Sequence, residues 1–502
     1  MLDSVFAHDR SNQWLEPRTD VCGSGTLRSV DSAGGCIIDP QGHGALPLSV
    51  VASLIRSPWL RVYAQAPFFA NTAITLGTNL AIGLEGAISG IIAARLLGPE
   101  GRGELAAIQA FSGFVAAFAT MGMVEAVVYY SAREPQKAGS YIVSAATIAL
   151  VASVPILSTA YFVVPLLLAA QSYQVIRAAR WYLLIAPVYA LVSVPAHALR
   201  GRADFMAWNG VRLIPNFNWI LVLASASWLA CRNARVLAIA YVAAQAAVFL
   251  PVYFIVAKRV HGPFRAAMAD WPRMIRYGLP CTLTNLPQIV NLRLDQMVLA
   301  MIVPARQLGI YAVAVAWSGV TAPVLSALGA ALFPAVANQS DRAARVAWFA
   351  KGTRFAFFLT AATCLLVTAF TPLAVVMLFG RDYQSSVPAA LVLVSATSFL
   401  ALNSVLEQSL LGLGHPYSVL GGELAGLIAT AVALAVSVRH LGIMSGALSS
   451  LAGYLTVSVA LVVRASQLTG LPAKELLWPR AKELQLGVVR VKSLMQLAVG
   501  TD

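Results

Sequence analysis

Seven charged side chains stand inside long apolar stretches of this 502-residue chain: Glu85, Glu125, Arg212, Arg293, Asp295, Glu407 and Glu423. A charge near the centre of a bilayer costs at least about 2.5–3.5 kcal/mol, so a chain keeps one where it has a partner or a use. Two kinds of chemistry fit these residue types. Buried carboxylates suit a proton or a small cation, and a guanidinium offers a planar fork of donors matched to phosphate oxygens. Asn291 and Asp295 are four residues apart and share a helix face, while Arg293 between them points well away from it. Glu85, Asp295 and Glu125 are therefore candidates for ion coupling. Arg293 and Asn291, with Arg212, are candidates for substrate contact in a cavity. The structural alternative is an Arg–Asp pair that locks helices together.

The elements that must hold these residues are membrane helices. The composition is 59% hydrophobic and 11% charged with a mean hydropathy of +0.74, far from the roughly 25% charged of soluble domains. A helical span needs roughly 20 apolar residues, and about twelve such stretches lie between Pro67 and Gln467. The expected spans are 70–94, 104–131, 139–168, 181–200, 205–231, 235–257, 277–303, 308–337, 352–379, 386–413, 417–438 and 442–466. Strands of alternating polarity, the mark of a membrane barrel, are absent from the pattern. The fold class is all-α, a polytopic membrane protein of two six-helix lobes.

A parallel repeat supports the two lobes. Gly103-Glu-Leu-Ala-Ala-Ile-Gln-Ala-Phe-Ser-Gly113 aligns with Gly309-Ile-Tyr-Ala-Val-Ala-Val-Ala-Trp-Ser-Gly319, and Pro99 or Pro304 precedes each. Leu199-Arg-Gly-Arg-Ala-Asp-Phe205 echoes Leu411-Gly-Leu-Gly-His-Pro-Tyr417. The register sets Asn291 opposite Glu85. The expected organisation is a leader over 1–66, a first lobe over 67–258, a basic linker over 259–276, a second lobe over 277–467 and an amphipathic tail over 468–502. The leader is a disordered extension or the product of a translation start placed too far upstream.

The net charge of +14 and pI near 9.8 fit basic loops on the cytoplasmic side of a membrane. No basic stripe with interleaved aromatics points to nucleic acid. Lys and Arg counts place the breaks containing Arg133, Lys137, Arg202, Lys258 and Arg273 in the cytoplasm together with both termini. The five cysteines form no C-x-x-C pair, so neither a metal nor a disulfide framework is expected. No nucleophile elbow, P-loop or H-E-x-x-H is present. The expectation is a transporter without a cofactor, and not an enzyme.

Ala93-Ala-Arg-Leu-Leu-Gly-Pro-Glu-Gly-Arg-Gly-Glu104 resembles the end of the first helix in bacterial polysaccharide-biosynthesis membrane proteins. These are the lipid-linked oligosaccharide flippases of the multidrug/oligosaccharidyl-lipid/polysaccharide exporter (MOP) superfamily. Arg276-Tyr-Gly-Leu-Pro280, Leu294-Asp-Gln296 and Leu308-Gly-Ile-Tyr-Ala-Val-Ala314 are similar to that family's second-lobe pattern. The resemblance spans about 65–490. It implies a MATE-like pair of lobes in the inner membrane, a cationic central cavity and alternating access. It also implies arginines on the pyrophosphate of an undecaprenyl-linked glycan, with Arg293 the nearest match and Arg95 at the outer mouth. Membrane lipid, that glycan and other polysaccharide-assembly proteins are the partners it suggests. The competing readings are a proton- or sodium-coupled exporter of small organic cations and a scaffold that transports nothing.

Overall fold

A computed structural model of the chain describes residues 58–321 and 341–478, with side chains from Asn71 onward except Thr72 and Thr321. The leader up to residue 57, the second part of the eighth expected span and the tail beyond Trp478 lie outside the described residues.

Lipid offers a backbone no hydrogen bonds, so each apolar stretch satisfies its own N–H and C=O groups as a helix. The helices are α1 (Pro58–Gln109), α2 (Ser112–Thr120), α3 (Met123–Arg133), α4 (Ala138–Leu167), α5 (Tyr173–Tyr182), α6 (Ile185–Gly201), α7 (Phe205–Trp228) and α8 (Ala234–Arg259) in the first half. The second half contains α9 (Trp271–Asn291), α10 (Leu294–Ile302), α11 (Ala305–Ser318), α12 (Arg342–Phe379), α13 (Val387–Gly412), α14 (Pro416–Leu441), α15 (Ile443–Thr469) and α16 (Ala473–Leu477). No strand occurs among the described residues. Eight helical stretches among them are long and apolar enough to cross a membrane. Polar residues at the breaks start several helices. Asp204 accepts from Ala207 N at 3.1 Å, Asn233 from Arg235 N at 3.0 Å and Asp341 from Ala344 N at 3.2 Å, capping the first turn of each helix.

The apolar surface is turned outward. Leu84, Phe162, Trp228 and Leu250 are 65%, 73%, 87% and 71% exposed, an arrangement stable in lipid and costly in water. Small and polar residues pack between helices instead, as expected where lipid tails are as apolar as leucine.

Three expected boundaries shift. The first helix begins at Pro58, inside the segment assigned to the leader, where a proline's fixed φ suits a first turn. The second span is cut twice, with Met121 and Gly122 left-handed (φ 46° and 68°). The seventh is cut at Leu292–Arg293. The start of the tail folds back: Leu476 is buried, Arg354 Nη1 donates to the Glu475 carbonyl at 2.7 Å, and Trp478 meets Phe358.

Candidate functional site

The repeat-related segments touch. At Gly103 an added Cβ would stand 1.6 Å from the Ala305 carbonyl, and at Gly309 one would stand 1.9 Å from the Pro99 carbonyl. Only a residue without a side chain permits this approach of two backbones. On the same side, Arg95 donates through Nε to the Leu378 carbonyl at 2.7 Å and also to that of Met377. It thereby caps the last turn of α12, where carbonyls lack helical partners. Tyr383 Oη donates to the Ala94 carbonyl at 3.0 Å.

A second set of contacts joins the halves further along. Gly122 and Gly278 meet, with a Cβ at Gly122 only 1.9 Å from the Gly278 carbonyl. Beyond them Tyr129 stacks on Tyr277 at 4.3 Å and Tyr130 Oη donates to the Arg273 carbonyl at 3.1 Å. Arg273 forms ion pairs with Glu134 at 3.1 Å and Asp270 at 2.9 Å, and Lys137 with Glu134 at 2.8 Å. Hydrogen bonds from Lys137 and then Tyr141 hold the Glu134 carboxyl down to about 2.

Between these closures lies a cavity of about 300 Å³. Its walls are small, with Gly83, Gly86, Ala106, Ala110, Ala312 and Ala316 among them. Ala106 and Ala110 are the repeat counterparts of Ala312 and Ala316, so both copies of the repeat build it. Four polar side chains reach it: Arg102, Gln109, Arg293 and Gln296. Arg293 donates to Gln296 Oε1 at 3.3 Å, and Arg102 Nε is buried with no hydrogen-bond partner. No carboxylate lines the cavity, and neither arginine takes part in an ion pair among the described residues. The arrangement presents unneutralised guanidinium donors to an anion.

The other expected site residues lie elsewhere. Asn291 is 2% exposed and accepts from Thr430 Oγ1 at 2.7 Å, inside the second half and off the cavity wall where it was expected. Asp295, 4% exposed, accepts from Tyr311 Oη, from Ser450 Oγ at 3.1 Å and from Gln296 N at 2.7 Å. Arg293 and Asp295 form no ion pair, so the helix-locking alternative does not hold for them. Arg212 donates to Asn79 Oδ1 at 2.9 Å and Asn209 Oδ1 at 3.0 Å and stacks on Trp208. It lines a separate pocket of about 440 Å³ within the first half. Glu85 is half-buried on α1 and Glu125 is exposed on α3. Arg95 caps α12 as described above.

Arg102 was missed because it sits in the Gly98–Gly103 punctuation and reads as a loop. Helix α1 breaks at Gly98 but resumes at once, carrying Arg102 inward. Its place one residue before the first copy of the repeat was the available signal.

Helices in this order, with broken second and seventh spans around a cationic cavity, define a polytopic helical membrane fold built of two related halves. The chain is similar to the lipid II flippase MurJ in an inward closed conformation, with TM-score 0.67, 14% identity, and 86% of this chain and 94% of that one covered. It is also similar to an inward-facing multidrug resistance MATE family transporter of the MOP superfamily (0.55, 15%, 80% and 94%). A further match is the MATE multidrug transporter DinF-BH (0.56, 16%, 81% and 97%). At these identities the likeness is one of fold. A search of curated protein sequences gives no match. Residues 92–388 match the family described as Polysaccharide biosynthesis protein, and the chain belongs to that family.

Proposed function

We propose that this protein is a flippase that carries a polyprenyl-pyrophosphate-linked oligosaccharide across the inner membrane by alternating access, for surface polysaccharide synthesis. The observation that carries the reading is the cavity, which is lined by Arg102, Arg293 and two glutamines and by no carboxylate. A guanidinium pair without a counter-ion favours a diphosphate and repels an organic cation. That weighs against the drug-exporter alternative, whose supporting acids lie outside the cavity. Lipid II flippase activity in the structural relative is consistent with an anionic lipid substrate.

The cavity's size sets the stage of the cycle. About 300 Å³ is at the lower end of sites for drug-sized ligands, which run roughly 300–1,000 Å³. It holds a diphosphate but not an oligosaccharide, so the halves must part for loading. The Glu134 end, rich in Arg and Lys, is assigned to the cytoplasm, with both termini on that side. The Gly103–Gly309 contact then closes the outer face. Glu85, Asp295 and Glu125 remain candidates for ion coupling.

The test follows lipid-linked oligosaccharide in cells lacking the gene. The expected result is accumulation on the cytoplasmic face, reversed by the intact gene but not by Arg102→Ala or Arg293→Ala. Normal translocation with altered sensitivity to cationic compounds would replace the flippase reading with the exporter.

A further inference from the structure

Apart from the cavity between the halves, the first half contains a polar pocket built around a cation with no counter-charge. The pocket, about 440 Å³, lies between α1, α6, α7 and α8, and its polar lining is Tyr189, Ser193, His197, Arg212, Asn216, Tyr241 and Gln245. No acid is among the lining residues, and Arg212 takes part in no ion pair among the described residues. Glu125 on α3 acts on the half-exposed Tyr189 and not on Arg212. A guanidinium has five N–H donors. Arg212 uses one on Asn79 Oδ1 at 2.9 Å and one on Asn209 Oδ1 at 3.0 Å, and the others remain for a ligand. Ser193 is 7% exposed, and its Oγ is buried with no hydrogen-bond partner.

The same walls also offer acceptors. His197 Nδ1 lies 2.8 Å from the Ser193 carbonyl. A carbonyl only accepts, so Nδ1 carries the hydrogen and Nε2 of the neutral ring is an acceptor. Asn216 Nδ2 donates to the Arg212 carbonyl and Gln245 Nε2 to the Pro215 carbonyl, both at 2.9 Å. Each amide keeps its side-chain oxygen as an acceptor. This mixture discriminates among ligands. Chloride, sulfate or a lipid phosphodiester accepts hydrogen bonds and has none to give, so it leaves those acceptors unpaired, which is costly where they are buried. A neutral sugar leaves the guanidinium without a counter-ion. A sugar acid matches both sets, because its carboxylate takes the planar fork and its hydroxyls donate to the acceptors.

We propose that this pocket binds one acidic sugar of the uronic type, its carboxylate on Arg212 and its hydroxyls on His197, Asn216 and Gln245. The volume of about 440 Å³ is within the range of small-molecule sites, roughly 300–1,000 Å³. Helix α1 borders both spaces: Ile82 lines the pocket, and Gly83 and Gly86 line the cavity. A glycan whose diphosphate occupies the cavity therefore has the pocket beside it. That the acidic sugar belongs to the transported glycan rests on the flippase reading; the match between pocket and sugar acid does not.

The experiment is saturation-transfer NMR on the full-length protein in phosphatidylcholine nanodiscs, with methyl glucuronide and methyl glucoside as probes. The two sugars differ only in carrying a carboxylate or a neutral hydroxymethyl group. Wild type is expected to transfer saturation to the glucuronide and much less to the glucoside. Arg212→Gln should weaken glucuronide binding about ten- to hundredfold. Arg212→Lys should keep part of it, because the charge stays and the planar fork is lost. Gln245→Met, close in shape but without the acceptor, should weaken it too. Equal transfer to both sugars in wild type, a comparison that needs no variant, would overturn the proposal. So would a glucuronide signal unchanged in Arg212→Gln. Loss in Arg212→Gln with no change in Gln245→Met would make the pocket a site for any small anion, which also overturns it. In proteoliposomes, absence of movement of a fluorescent polyprenyl diphosphate would sink the flippase reading alone. Absence of glucuronide binding would sink the acidic sugar alone and leave a flippase for a neutral glycan.

Discussion

The two halves of the molecule share a helix plan and treat charge in opposite ways. In the first half, Arg212 is half-buried among neutral partners, Asn79, Asn209 and the face of Trp208, beside an open pocket. In the second half, Asn291, Asp295, Glu407 and Glu423 are all at most 6% exposed and lie in the packed interior. Glu85 and Asn291 occupy equivalent places, yet the first is half-buried and the second is sealed against Thr430. The cavity between the halves takes one arginine from each, Arg102 and Arg293. The repeat therefore sets where backbones run, and substitutions on it divide the charges: guanidinium donors at the interface, the most deeply buried acids within one half.

The largest effect is expected where the halves touch. Gly309→Val places a side chain where even a Cβ would be 1.9 Å from the Pro99 carbonyl, so the Pro99 end cannot close. Surface polysaccharide should be lost. Gly113→Ala meets nothing within 4 Å and should leave it unchanged. Equal behaviour of the two variants would remove the close approach from the cycle.

Next in size are the cavity arginines. A hydrogen bond to a charged group contributes about 1.5–3 kcal/mol, so Arg102→Ala or Arg293→Ala should weaken binding of a polyprenyl diphosphate by about ten- to hundredfold. Arg293→Lys should restore part of the affinity, because a point charge lacks the planar fork. Asp295→Asn should leave binding unaltered. A loss there as large as at Arg293 would erase the division between interface and interior.

Stability sharpens the contrast between the interiors. Asp295→Ala strands the buried Tyr311 and Ser450 hydroxyls and should cost about 1–3 kcal/mol. Arg212→Ala, between neutral amides in a half-buried site, should cost about 1 kcal/mol. Thermal unfolding of the purified protein in detergent orders the two, and a reversed order would break the comparison.

The smallest effect is expected at the Glu134–Arg273 closure. Its carboxyl is held at about 2, below the usual carboxylate value, so its contribution is full above the unfolded value of about 4.3 and is lost as pH falls through about 2. The distance between spin labels at positions 129 and 277 should not vary between about pH 5 and pH 8, the range in which this carboxylate stays ionised. Glu134→Gln should change that distance only slightly, since exposed ion pairs contribute about 0–1 kcal/mol. A marked change with pH would assign the closure to another titrating group.

Much of the plan was legible because lipid simplifies the problem. Apolar runs of span length must be helices, and the Gly103 and Gly309 echo already paired the segments that meet. Helical periodicity already set Arg293 apart from Asn291 and Asp295, but the break at Leu292–Arg293 interrupts the continuous helix that this reading assumed. Arg102 as a cavity residue and the deep burial of Glu407 and Glu423 were not legible. The arginine lies in what reads as loop punctuation. The two glutamates, near Gly414-His415-Pro416, look equally compatible with a solvated turn.

The sequence by itself determined the class: apolar runs of span length without strand alternation, charge scarcity and the repeat require a two-lobed helical membrane protein, since only helices and closed barrels satisfy their backbone in lipid and the barrel pattern is absent. The tertiary structure decided which charges face which space. A helix face can turn to lipid, cavity or neighbouring helix, and only long-range packing chooses among them. The breaks at Gly98, Met121–Gly122 and Leu292–Arg293 reorient those faces within single spans. They bring Arg102 and Arg293 to one cavity and turn Asp295 into the interior of the second half.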